Sequence, residues 1–429
     1  MELFYNGRCH TGRQGYRKMP KINPYKISDS NPSPSSVAVE LPLRRTGEAE
    51  VQRRRIKIAH IITLLELGGA QENTLYTCEN LDKNKFDVLL ICGKGGILDE
   101  KTKNIKTYFV KELIREINPI KDLIALVKIY KILKKEKPDI VHTHSSKAGI
   151  IGRWAAYLAK VCKIVHTFHG FGFHDYQNFL IKYIYIATER LTATITDRFI
   201  AVSHENITKG LQNKIGTKGI YSMIRSGIKL QNYQTQIDIK MKRQEFGIKN
   251  EKVVGMIACF KPQKSPLDFV SVAESICKEN ANTKFLLVGD GILRNKIESL
   301  ISKLNLKDKI ILTGWRKDVN EIIKIFDVFV LTSLFEGLPR VVIEAMASGI
   351  PVVATYIDGT REIVHEGLTG FVTQPHEIEK MAERVLRLLN NPNLCEKLTS
   401  EAKKRISEFD IDLMVKQQEE LYLSLILLD

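Results

Sequence analysis

The feature that most constrains this chain is a short run of Val, Ile and Leu that keeps returning, each time followed by a segment with helical spacing. "RIKIAHIIT" from Arg55 leads through a glycine turn and a helical stretch to "FDVLLICGKGG". The alternation continues with the helix-like "PIKDLIALVKIYKILKKEK" (119–137), then "PDIVHTHS", "AGIIGRWAAYLAKV", "KIVHTFHG" and "DRFIAVS". A second set opens at "KVVGMIACF" (252–260) and adds "TKFLLVGDG", "KIILTGW", "DVFVLTS" and "IPVVAT". Short strands that are apolar throughout are buried on both faces, and their alternation with helices makes parallel sheets. Two wound α/β sheets are therefore expected, joined near "SGIKLQNYQTQ" (226–236). In such sheets ligands bind beyond the carboxyl ends of the strands, so the loops that follow strands are where chemistry belongs.

A length of 429 residues and an apolar fraction of 44% suit two soluble domains. The seven cysteines are scattered, without a CxxC pair or a His/Cys cluster at metal-ligand spacing. That argues against a disulfide framework or structural zinc and for a reducing, cytoplasmic setting. Residues 1–54 carry "NPSPSS" and "RRTGEAEVQRRR" without periodicity and read as a basic tail, with neither a secretory apolar region nor a span. "LYLSLILL" (421–428) is too short to cross a bilayer and reads as a terminal packing helix. The net charge of +16 admits nucleic acid, anionic lipid or a phosphorylated substrate as partner. Without zinc-finger spacing, an RNP aromatic pattern or a clear helix-turn-helix, nucleic acid is set aside.

The segment "LTSLFEGLPRVVIEAMASGIPVVATYIDGTREIV" (331–364) carries the chemistry. Its spacing predicts a helix over roughly Pro339–Ser348, with Pro339 at the first helical position and Gly349 and Pro351 closing it. Glu336 stands before that helix and Glu344 in its second turn. Acids at a helix start are ordinary, but Glu344 lies among Val341, Val342, Ile343, Ala345 and Met346, a poor setting for a solvated face. A buried acid needs partners for its acceptors, and the hydroxyls of a sugar lying across the helix start would supply them. The free N–H groups there would also suit a phosphate.

The spacing of Glu336 and Glu344, followed by "AMASGIPVVAT" and "GTREIVHEGLTGFV", resembles the donor-site signature of the retaining glycosyltransferases of family four. Other landmarks fall in that family's order: "GGAQ" (68–71), "VHTHSSKAG" (141–149), "HTFHG" (166–170), "KPQK" (261–264), "LLVGDG" (286–291) and "LTGW" (312–315). The resemblance runs from Lys57 to about Leu425. It implies the GT-B fold: a Rossmann-like acceptor domain over 55–232, a nucleotide-sugar domain over 233–410, parallel sheets facing a central cleft, and the terminal segment 411–429 crossing back onto the first domain. By resemblance, Glu336, His169 and Lys264 are the catalytic set, with Glu336 and His169 at the transferred sugar and Lys264 at the diphosphate. Glu344 falls to the ribose hydroxyls, and Gly68, Gly69, Gly337, Leu338, Arg340, Lys261 and Gly314 to the rest of the donor.

The implied activity is retaining transfer from a UDP- or GDP-linked sugar to a hydroxyl acceptor, lipid-linked or saccharide, of the kind used in capsule and exopolysaccharide assembly. No metal and no other cofactor is expected. A nucleotide-sugar epimerase of the same shape and a non-catalytic sugar-nucleotide or lipid-binding protein are the alternatives. The sequence departs from the family at Cys259, where an arginine is usual, and Lys261 is the candidate replacement. It departs again at "EGLPR", where Pro339 stands in place of a second glycine. "DID" (410–412) imitates a DxD metal site but does not end a core strand. The lysine-bordered 119–137 helix and "FGFHDYQNFLIKYIYIATER" (171–190) suggest contact with an anionic membrane surface.

Overall fold

A computed structural model of the chain describes residues 54–427. The tail expected over 1–54 lies, apart from Arg54, outside the described residues. One sheet holds β1 (Ile56–Ile62), β2 (Phe86–Cys92), β3 (Lys106–Phe109), β4 (Ile140–His144), β5 (Lys163–Phe168), β6 (Arg198–Ala201) and β7 (Tyr221–Met223), in the order β3-β2-β1-β4-β5-β6-β7. The other holds β8 (Lys252–Ile257), β9 (Thr283–Val288), β10 (Ile310–Leu312), β11 (Val328–Leu331), β12 (Val352–Thr355) and β13 (Phe371–Thr373), in the order β10-β9-β8-β11-β12-β13. All the strand pairings are parallel. β3, β7 and β13 are additions to the strands expected from sequence.

Each sheet reverses its winding at its first strand, between β1 and β4 and between β8 and β11. The loops after those four strands therefore flank a crevice, the usual place for a ligand in a wound sheet. Alternating side chains give the central strands two buried faces. Ala59, Ile61 and Val141 pack under the Pro119–Glu136 and Ser146–Ala159 helices. Ile58, Ile140 and Val165 face the opposite way, toward the Ile411–Leu427 helix, whose Ile411, Met414, Tyr422 and Leu425 join their cluster. The end of the chain thus returns to the first sheet. In the second sheet Phe329, Leu331 and Val352 pack on Val342, Ile343 and Met346, while Val328, Val330 and Val353 pack on Phe269, Val385 and Leu398.

The helix expected over Pro339–Ser348 spans Arg340–Ala347, and Pro339 is its cap, not its first residue. The chain is still extended at Pro339, with ψ 94°, because the preceding Gly337–Leu338 segment is wedged between neighbouring backbones. Gly349 closes the helix as expected: its φ of 76° lets Ile350 N–H reach Ala345 O at 2.9 Å, the Schellman arrangement.

Candidate active site

Two loops of the second sheet are joined so that their polar residues meet. After β8 the chain makes a tight turn over Pro262–Lys264, then passes through Ser265 at φ 43° into the Pro266–Glu279 helix. Thr332, just past β11, donates its hydroxyl to Lys264 O and Ser265 O, both at 2.9 Å. Leu334 N–H donates to Gln263 O at 2.8 Å, and the Gln263 side chain returns a bond to Phe335 O at 2.8 Å. This lacing brings Lys264 onto Glu336, where the two form an ion pair, and Ser333 Oγ donates to the same carboxylate oxygen at 2.8 Å. Lys261 lies on the same turn. Burial, and then the charge of Lys264, pull its ammonium below the ordinary lysine range. Two neighbouring lysines, one of them largely desolvated, are suited to an anionic ligand, which would offset both the burial and their mutual repulsion.

One turn into the Arg340–Ala347 helix, Glu344 is buried, as its apolar neighbours required. Burial pushes its carboxyl above the usual range, and Arg340, at 3.9 Å, works against that rise. The Tyr233 hydroxyl also lies near it, and the Glu344 charge adds to the burial that raises the phenol. Arg340 also reaches across to the first sheet's loop, pairing with Glu72 at 2.8 Å and approaching Gly69 O at 3.4 Å. Burial alone would lower the guanidinium, but Glu72 and Glu344 hold it charged, above its ordinary value. Arg340 is thus an ion-paired bridge, whereas the sequence suggested an additional cation for the donor.

The first sheet supplies the facing wall. Gly68 precedes the Gly69–Asn80 helix, with its backbone extended, and Gly69 lies against the Arg340 side chain: a Cβ there would stand 2.7 Å from Arg340 Cδ. His169 follows β5 directly and is half-buried, and desolvation of its ring lowers the imidazole to about 4. At Gly337 the backbones of the two walls meet, since a Cβ on it would fall 1.9 Å from His169 O. Only glycine fits there. Alongside, His174 stacks on Phe335 with ring centroids 3.9 Å apart.

The structure therefore assembles Glu336, Lys264, Lys261, Gly337 and His169 at one place, with Glu344, Arg340, Gly68 and Gly69 one helical turn away. The Leu338 side chain is buried in the core of the second domain. Gly314, at φ 70°, accepts from Gly289 N–H at 3.0 Å beside the end of β9. Asp410 and Asp412 begin the terminal helix, where Asp410 caps Asp412 N–H at 2.8 Å and Tyr76 donates to Asp412 at 2.5 Å. Glu72, Tyr233 and Ser333 are site residues that sequence reasoning did not find. Glu72, one turn past "GG" on a helix start, read as an ordinary first-turn acid.

Among the described residues, His60, His142 and His144 are grouped closely enough to hold an ion. Five of their six ring nitrogens, however, are engaged by one another or by Tyr422, Thr167 and His169. They form a hydrogen-bonded network inside the first sheet.

Comparison with known proteins agrees with this architecture. Residues 238–405 match the family described as Glycosyl transferases group 1, and residues 67–216 match Glycosyltransferase Family 4. An Escherichia coli protein, UDP-Gal:alpha-D-GlcNAc-diphosphoundecaprenol alpha-1,3-galactosyltransferase, is 35% identical over 384 residues, which is 87% of this chain and 98% of that protein. A capsular polysaccharide biosynthesis glycosyltransferase of Staphylococcus aureus is 27% identical over 375 residues, 85% of this chain and 96% of its own. Among solved structures, Anabaena HepE in complex with UDP-glucose superposes with a TM-score of 0.74 at 22% identity, covering 86% of this chain and all of that one. Two parallel-sheet domains of this kind constitute the GT-B fold.

Proposed function

This chain belongs to the group 1 glycosyl transferases and is a glycosyltransferase, and we propose that it moves a sugar from a UDP-linked donor to a hydroxyl of a lipid-linked saccharide, with retention at the anomeric carbon. The observation that carries the reading is the meeting of Glu336, Lys264 and Lys261 with His169 across the Gly337 contact. The E. coli relative's UDP-sugar donor and diphosphoundecaprenol-linked acceptor support the choice of partners, as does the UDP-glucose bound by the structural neighbour.

In this reading Lys264 and Lys261 face the diphosphate together with the first N–H groups of the Arg340–Ala347 helix. Negative charge grows on the diphosphate as the glycosidic bond breaks, and donors already aimed at it need no reorganisation. Glu336 hydrogen-bonds sugar hydroxyls once Lys264 turns to the phosphate. Glu344 accepts from the ribose hydroxyls, which give its buried carboxylate the donors that Arg340, at 3.9 Å, does not supply. Attack comes from the face the diphosphate leaves: the acceptor oxygen bonds to the anomeric carbon, and the departing phosphate oxygen takes its proton. Glu336 positions the sugar without bonding to it, and the two lysines supply the charge for a metal-independent reaction. Gly68, Gly69, Leu338 and Gly314 contribute backbone to the donor pocket, and the domains divide at 233 and 410.

The test is a panel of UDP- and GDP-sugars incubated with an undecaprenol-diphosphate-saccharide acceptor, in EDTA, scored for nucleoside diphosphate release and for product anomer. One UDP-sugar should give acceptor-stimulated release and a retained anomer, with activity lost in Glu344→Ala. Inversion would overturn the mechanism, and consumption of donor without acceptor would favour an epimerase.

A further inference from the structure

A line of imidazoles runs from the interior of the first sheet to the cleft. β1 and β4 pair in parallel with His60 beside His142, and His144 lies two residues on, so alternation sends all three to one face. All three are almost wholly buried. His142 is fully occupied, by Tyr422 O–H at 2.6 Å on Nδ1 and Thr167 Oγ1 at 2.7 Å on Nε2, and so anchors the terminal helix to the sheet. The other two continue the line. His60 Nδ1 lies 3.0 Å from His144 Nε2, and His144 Nδ1 lies 3.2 Å from His169 Nε2.

A neutral imidazole has one N–H and one lone pair. Burial keeps these rings neutral: His60 is lowered to about 3, His169 to about 4, and His144 well below its ordinary value. In a chain of three neutral rings the protons must all point the same way. If they point inward, His60 Nε2 carries a buried N–H, and that atom has no hydrogen-bond partner among the described residues. If they point outward, the same atom holds only a lone pair. An orphaned buried N–H is the rarer and costlier of the two.

We propose that His60 and His144 are positioning residues: His60 Nδ1–H donates to His144 Nε2, His144 Nδ1–H donates to His169 Nε2, and His169 is thereby fixed with its proton on Nδ1. His169 then offers the cleft a donor and not a base. A donor can hold a hydroxyl or phosphate oxygen of the sugar-nucleotide, and it leaves the acceptor's proton to the departing phosphate. The kinetic part of this assignment rests on the transferase reading above; the tautomer itself does not.

Nitrogen-15 NMR of histidine-labelled protein without ligand tests it, with His169 identified by the peak lost in His169→Gln. The wild type should show His169 protonated on Nδ1. His60→Leu should shift His169 toward Nε2–H and lower kcat about tenfold with little change in donor KM, and His60→Asn, whose amide can donate from the Nδ1 position, should restore both. A wild-type His169 protonated on Nε2 overturns the proposal, as does an unchanged tautomer in His60→Leu. Should His60→Leu fail to fold, the wild-type tautomer decides. Because the spectra are taken without donor, they stand whether or not sugar transfer is observed.

Discussion

At the scale of single residues, the Lys264–Glu336 pair carries the largest consequence. Their side chains are 17% and 9% exposed, so neither charge is well screened by water. Removing one partner of such a pair leaves the other desolvated and uncompensated, whereas removing both is tolerated far better. Lys264→Met should therefore destabilise the protein by about 3 kcal/mol in a urea titration and lower turnover by about a hundredfold or more. Lys264→Met with Glu336→Gln should recover most of the stability and none of the activity. A double variant no more stable than the single would mean that the two charges are not coupled in the free protein. The place of both residues at the candidate site was expected from the sequence, through the family resemblance and because each follows a strand where wound sheets bind ligands. Their pairing was not, since it depends on how Thr332 and Gln263 lace two loops about seventy residues apart.

At the scale of elements, most strands that sequence made plain have four or more consecutive buried residues, such as β1, β4, β8 and β11, and the short edge strand β10 was found through its "KIIL" run. β3, β7 and β13 are edge strands of three or four residues, too short to show a period, and the first two have no fully buried residue. Helix faces tell a similar story. The crossovers after β3, β4 and β5 lie on one face of the first sheet, and two of their helices leave large apolar side chains in solvent: Ile120 at 74% and Leu123 at 63%, and Phe179 at 79% and Leu180 at 62%. No helix among the described residues is long and apolar enough to cross a membrane. Apolar residues at these helix starts with Lys121, Lys128 and Lys182 nearby fit the surface of an anionic bilayer, where a lipid-linked acceptor would be found. Phe179→Glu with Leu180→Glu should reduce flotation with phosphatidylglycerol vesicles about tenfold while leaving transfer to a short soluble acceptor intact. Equal flotation of variant and wild type, or flotation indifferent to anionic lipid, would remove the membrane from this account.

At the scale of the whole molecule, the cleft is spanned by contacts that no local pattern could reveal. Glu362 accepts from Glu205 N–H at 3.0 Å and pairs with Arg225 at 2.8 Å, close to where the chain passes between the sheets. Arg340 joins Glu72 at the opposite wall, linking the first turn of one domain's helix to the start of the other's across 268 residues of sequence. That link has a second meaning, because Arg340 also offsets the charge of Glu344, the acid proposed to hold the ribose. Bridging the cleft and opposing the upward shift of that carboxyl are therefore served by one guanidinium. Glu72 is 40% exposed, which limits the worth of its pair to that of a half-solvated bridge. Glu72→Ala should accordingly raise donor KM by about two- to fivefold, the scale of such a pair, and increase the radius of gyration of the free protein in X-ray scattering. Arg340→Ala should do more, since it withdraws the counter-charge from Glu344 as well as the bridge. If Glu72→Ala opened the molecule but left KM unchanged, closure and donor binding would be separate, and Arg340 would act on Glu344 alone.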